Sequence, residues 1–136
     1  LLLIDAGCEY QGYASDITRT YSREKDEFQD LIGAMNTMQL SLVDECKPNV
    51  NYIDLHLLAH RKTAEILLRF SFVRDLSADA VVASGISSTF FPHGLGHFLG
   101  LQVHDVGGFM ADRSGQTINT AIRVRGRVNA AIAFTS

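Results

Sequence analysis

The spacing of apolar residues changes several times along this chain, and each change marks an element. Leu1-Leu2-Leu3-Ile4 is an unbroken apolar run closed by Asp5, the pattern of a buried strand. Gly7 to Gly12 supplies turn residues, and Tyr13 to Tyr21 is rich in aromatic and β-branched side chains, so residues 1–21 predict a hairpin. With Tyr10 and Gln11 at its tip, paired residue numbers sum to 21. Asp5 then stands directly opposite Asp16, with Cβ atoms about 5 Å apart.

From Asp26 the period shifts to threes and fours. Phe28, Leu31, Ile32, Met35, Met38, Leu42 and Val43 form one apolar face, Asp26 and Gln29 stand as a capping pair, and Pro48 bounds the helix. A second helix is expected from about Asn51 to Phe70, with Asn51 as cap and Ile53, Leu57, Ala64, Leu67 and Leu68 facing inward. Leu76 to Ala83 predicts a short third helix opened by Ser77. From Gly85 onward Gly, Ser, Thr and Phe replace the helical pattern, leaving strand and loop, with strand candidates at Ile122 to Arg125 and Val128 to Phe134. No repeat or linker divides the chain, so residues 1–136 read as one α+β domain. It begins inside an apolar run without a Met, which leads us to expect a segment of a longer protein.

Composition narrows the function classes. With 46% apolar and 20% charged residues among 136, the chain is globular in type. The opening run lacks the basic flank of a signal peptide, and no stretch reaches the roughly 18 apolar residues of a membrane span. Cys8 and Cys46 are isolated, without CxxC spacing, which predicts free thiols in a reducing compartment, by default the cytoplasm. A net charge of −3 gives no basic face for a phosphate backbone, despite Arg123, Arg125 and Arg127, so nucleic acid is not an expected partner.

The chemistry concentrates in two places. His93 through Asp105 holds three of the five histidines, three glycines and a carboxylate. Asp5 and Asp16, if opposed on the hairpin, repel unless one takes a proton or a cation lies between them. The competing reading makes Asp5-Ala6-Gly7 turn chemistry and Asp16 a surface residue. An imidazole added to two carboxylates, with no cysteine nearby, suits manganese, cobalt, magnesium or zinc. In an extended chain His93 and His97 share a face and His104 lies on the other, unless a glycine bulge re-aims the strand. Two other motifs fail. Gly94 to Gly100 is one residue too long for a GxGxxG turn, and His93 and His97 have HExxH spacing with glycine where its glutamate belongs. His56 and His60 stand one helical turn apart, but one histidine at the surface and one at a packing edge is the commoner reason for such a pair.

Asp5-Ala6-Gly7, Tyr13-Ala14-Ser15-Asp16-Ile17-Thr18-Arg19, Phe91-Pro92-His93-Gly94-Leu95-Gly96-His97 and Val103-His104-Asp105-Val106-Gly107-Gly108 together resemble the catalytic domain of Xaa-Pro dipeptidases, the prolidases. The resemblance runs from Leu1 to about Arg113, and Gly12-Tyr13 with Gln102 to Asp112 is similar to the bacterial branch that includes the organophosphorus acid anhydrolases. It implies a pita-bread fold, with helices on one face of a curved antiparallel sheet, and a centre of two divalent ions, manganese first, with cobalt, magnesium or zinc as alternatives. It implies that Asp5, Asp16 as the bridge, and His97 are metal ligands, that two later glutamates complete the set, and that His93 and His104 contact substrate and the tetrahedral intermediate. The implied activity is hydrolysis of Xaa-Pro dipeptides by the parent protein, with a homodimer as one open assembly, while the cytoplasm and the lack of a membrane partner are the expectations from the thiols and the composition. No glutamate follows Glu65. Residues 1–136 are therefore expected to be part of a catalytic domain, without its N-terminal domain or its C-terminal glutamates, and inactive alone. A non-catalytic binding module or another amidohydrolase on the same fold is the alternative.

Overall fold

The structure is a computed structural model that describes residues 1–47 and 50–105 and the backbone of 132–134. The elements are β1 (Leu2–Ala6), β2 (Glu9–Tyr10), β3 (Tyr13–Ala14), β4 (Ile17–Tyr21), α1 (Glu27–Asp44), α2 (Tyr52–Arg69), α3 (Ala78–Ala83), α4 (Ile86–Phe90), β5 (Gly96–Phe98) and β6 (Ile132–Phe134). Three antiparallel ladders join β1 to β4, β2 to β3 and β5 to β6. The candidate strand at Ile122 to Arg125 lies outside the described residues, whereas the end of the Val128 to Phe134 candidate is β6.

The opening hairpin forms, in a register two residues from the expected one. Gln11 and Gly12 have φ of 51° and 84°, the paired left-handed conformations of a type I′ turn, so they are the tip in place of Tyr10 and Gln11. Asp5 accordingly faces Thr18, not Asp16. A slip of two keeps every side chain on its own face. Between the two ladders the hairpin is pinched at Gly7 and Cys8 against Ser15 and Asp16. Ser15 N–H donates to the Cys8 carbonyl (2.8 Å), and Cys8 N–H is diverted to Ser15 Oγ (2.9 Å). Burial of the first strand does not hold: Leu2, Leu3 and Ile4 are 56%, 63% and 43% exposed. The described helices bury their faces on one another, and α1 reaches the hairpin at β4.

Local capping sets the helices. Asp26 accepts from Gln29 N–H, Asn51 from Ile53 N–H, and Ser77 from Ala80 N–H, each such cap contributing about 1 kcal/mol. The inner stripe of α2 is Leu55, Ala59, His60, Thr63, Ala64 and Leu67. Ile53 and Leu57, expected inside, are 38% and 52% exposed, because the stripe runs through two polar residues that a hydrophobic count assigns to the outer face. The expectation of only strand and loop after Gly85 also fails. Gly85, at φ 78°, turns the chain so that α4 forms with Ser87 buried.

The packed interior lies around α2. One cluster joins Ala64, Leu67 and Val81, and the other joins Leu42, Leu55, Ala59 and Leu95. Leu95 thus anchors the histidine segment to the helices. Leu95→Ala is expected to destabilise the fold by about 2–5 kcal/mol, seen as a lower urea midpoint at an unchanged m value.

Candidate metal centre

A cleft of about 590 Å³ opens between the hairpin and the segment after β5, lined among others by Asp5, Gly7, Cys8, Asp16, Leu101 and His104. The Ala14 N–H donates to the Gly100 carbonyl at 2.8 Å and ties the two walls together. Asp105 folds the second wall back on itself: its N–H donates to the Phe98 carbonyl (3.0 Å), and its carboxylate accepts from Leu101 N–H (3.1 Å). That return places the His104 ring 4.2 Å from the His97 ring. Asp16, His97 and His104 each offer a donor atom within 4.8 Å of the others.

His97 Nδ1 lies 3.0 Å from the Phe98 carbonyl, which can only accept, so Nδ1 carries a hydrogen and Nε2 is the ring atom turned toward the cleft carboxylate. Among the described residues Nε2 is buried without a hydrogen-bond partner, yet lies 3.3 Å from Asp16 Oδ2. With Nε2 deprotonated, the imidazole and the carboxylate would offer two donor atoms to a shared cation. A ligating histidine commonly donates its other N–H to a backbone carbonyl in this way. The residues present therefore fit a divalent ion.

The other candidates divide. Asp5 lines the same cleft but stands outside the three-donor cluster, with one carboxylate oxygen accepting from Thr18 Oγ1 at 3.0 Å. His93 is also outside the cluster, and its ring meets Phe91 edge-on at 4.9 Å. The glycine-bent segment thus brings His104, not His93, to His97. Sequence reasoning did not single out Thr18 or Ser15, which hold the hairpin carboxylate and the pinch. Their hydroxyls carry no motif of their own.

His56 and His60 are not divided between surface and packing edge. His60 is 7% exposed and His56 is half-buried. His60 Nδ1 lies 3.1 Å from Ser87 Oγ, and its Nε2 lies 3.2 Å from His56 Nε2. Burial first, and then the neighbouring imidazole (His93 for His56, His56 for His60), holds both pKa values below the usual 6.5. The unfolded chain therefore takes up protons before the folded one as pH falls. Stability is full above about pH 6.5 and declines as pH drops through the depressed values. His60→Gln is expected to flatten that acid limb when unfolding free energy is measured by urea titration across pH 5–8.

Known proteins resemble this chain in sequence and in fold. The Xaa-Pro dipeptidase of Colwellia psychrerythraea is 56% identical over 118 residues, covering 87% of this chain, and that of Shewanella baltica is 59% identical over 116 residues, covering 85%. The chain spans 26% of the length of each. Among solved structures, zinc-substituted Escherichia coli aminopeptidase P in complex with product matches 79% of this chain and 25% of its own length, with 32% identity and a TM-score of 0.72. Pseudomonas aeruginosa aminopeptidase PepP matches 86% of this chain and 27% of its own length, with 30% identity and a TM-score of 0.73. The α+β arrangement is the pita-bread fold of these structures. The pattern of the metallopeptidase family M24 extends across both walls of the cleft, over residues 1–126, and the chain belongs to that family.

Proposed function

We propose that the full-length protein is a cytoplasmic Xaa-Pro dipeptidase that works with two divalent ions, manganese first. Asp5, Asp16 and His97 are its ligands within this chain, and His93 and His104 face the substrate. The observation that carries the reading is the buried Nε2 of His97, without a hydrogen-bond partner among the described residues, set 3.3 Å from the Asp16 carboxylate. The names of the dipeptidase relatives support the substrate class, and the free thiols of Cys8 and Cys46 support the compartment. Divalent ions held there supply Lewis acidity, polarising a carbonyl and acidifying water. His104 sits exposed beside His97, where its N–H can donate to a developing oxyanion, a contact worth about 3 kcal/mol when well placed. His93, also exposed, is suited to gripping the dipeptide carboxylate. An Xaa-Pro bond has no N–H to hold, so recognition has to come from such groups.

The test uses full-length protein, stripped of metal and then reloaded with manganese. We expect manganese-dependent cleavage of Ala-Pro and little cleavage of Ala-Ala. Preference for the tripeptide Ala-Pro-Ala over Ala-Pro would assign the protein to aminopeptidase chemistry instead. Absence of turnover on any of them with metal bound would identify a binding module.

A further inference from the structure

We infer that the Tyr52 hydroxyl is a positioning group for the candidate metal centre, holding the backbone of Gly96 and through it aiming the His97 imidazole. This rests on the reading of His97 as a ligand. Tyr52 opens α2, forty-four positions before Gly96, and meets it with its side chain alone. The hydroxyl accepts from Gly96 N–H and donates to the Gly96 carbonyl, both at 2.9 Å. Both polar groups of the residue preceding His97 are thereby satisfied by one oxygen, a role open to a hydroxyl because it is donor and acceptor at once.

The ring that carries this oxygen is itself fixed. It stacks on His56 with planes 10° apart and centroids 6.3 Å apart, and it packs against the cluster that contains Leu95. Gly94 passes over the same oxygen, where an added Cβ would lie 3.2 Å away. The segment from Gly94 to Gly96 is therefore shaped around Tyr52. Burial of Leu95 fixes the depth of this segment by non-directional apolar packing, and the β5–β6 ladder fixes its course. The two hydrogen bonds to Gly96 add a directional restraint on the residue next to His97. They set the direction from which His97 leaves the backbone, and the Nδ1–H bond to Phe98 then sets the ring. Outer partners of this kind change metal affinity or activity by about 10–100-fold when lost.

The experiment compares full-length wild type with Tyr52→Phe, which keeps the ring and its stacking, and with Gly94→Ala, which crowds the hydroxyl from the other side. Manganese affinity is read from the electron paramagnetic resonance of the free ion, and exchange of the Gly96 amide is read by NMR. We expect Tyr52→Phe to bind manganese about 10–100-fold more weakly, with kcat lowered at unchanged KM and faster Gly96 exchange. Gly94→Ala should change affinity and exchange in the same direction by less. Tyr52→Leu should lower the melting temperature further without weakening manganese binding beyond the Phe variant. Wild-type manganese affinity in Tyr52→Phe would overturn the inference. If wild type binds no manganese, the proposed function fails, and unchanged Gly96 exchange in both variants would then overturn the positioning role separately.

Discussion

Asp16→Asn in the full-length protein is expected to lower manganese-dependent cleavage of an Xaa-Pro dipeptide by more than ~100-fold, beyond the range typical of outer-shell changes. The carboxylate supplies the negative charge against which His97 Nε2 is set at 3.3 Å, and an amide of the same shape removes that charge and one of the donor oxygens. His56→Ala is the comparison. Its ring lies in the packing of α2 and outside the donor cluster, so that variant should lose mainly stability, with a much smaller loss of turnover passed on through the Tyr52 ring it stacks on. Steady-state rates at matched manganese loading decide the point, and comparable losses in the two variants would move the centre away from the hairpin.

Gly7→Ala is expected to disrupt both the hairpin and the site. A Cβ there would overlap the Ser15 carbonyl oxygen, and the obstacle is backbone, which cannot swing aside as a side-chain end can. Relief requires opening the pinch between the ladders, which also carries Asp16. The cost should be at least the 1–3 kcal/mol or so of an overpacked core, with manganese binding weakened in parallel. Thermal unfolding and manganese titration of the same preparation check this. An unchanged melting temperature would mean that Gly7 and Ser15 do not approach so closely.

Much of this was readable from local chemistry. Asp26, Asn51 and Ser77 announced their helices because a cap acts within three residues of itself. The hairpin was legible, but its register was not assigned from Gln11-Gly12, whose glycine marks the left-handed pair of a type I′ turn better than Tyr10-Gln11 does. Because the slip was even, the hairpin carboxylates still line one cleft. The inner face of α2 was obscured by His60 and Thr63, polar residues whose burial depends on partners such as Ser87 and Met38 far along the chain. The meeting of His104 with His97 depends on Asp105 closing a loop, and the role of Tyr52 on a contact across forty-four positions. Neither leaves a periodic trace.

Anomalous diffraction at the manganese edge, from crystals of the full-length protein grown with manganese, decides whether this cleft is a metal centre. Two manganese peaks are expected in the cleft, with oxygens of Asp5 and Asp16 within roughly 2.0–2.6 Å of an ion and His97 Nε2 completing one of them. Manganese bound between His56 and His60, or His97 Nε2 hydrogen-bonded to Asp16 with no ion at either residue, would contradict this assignment.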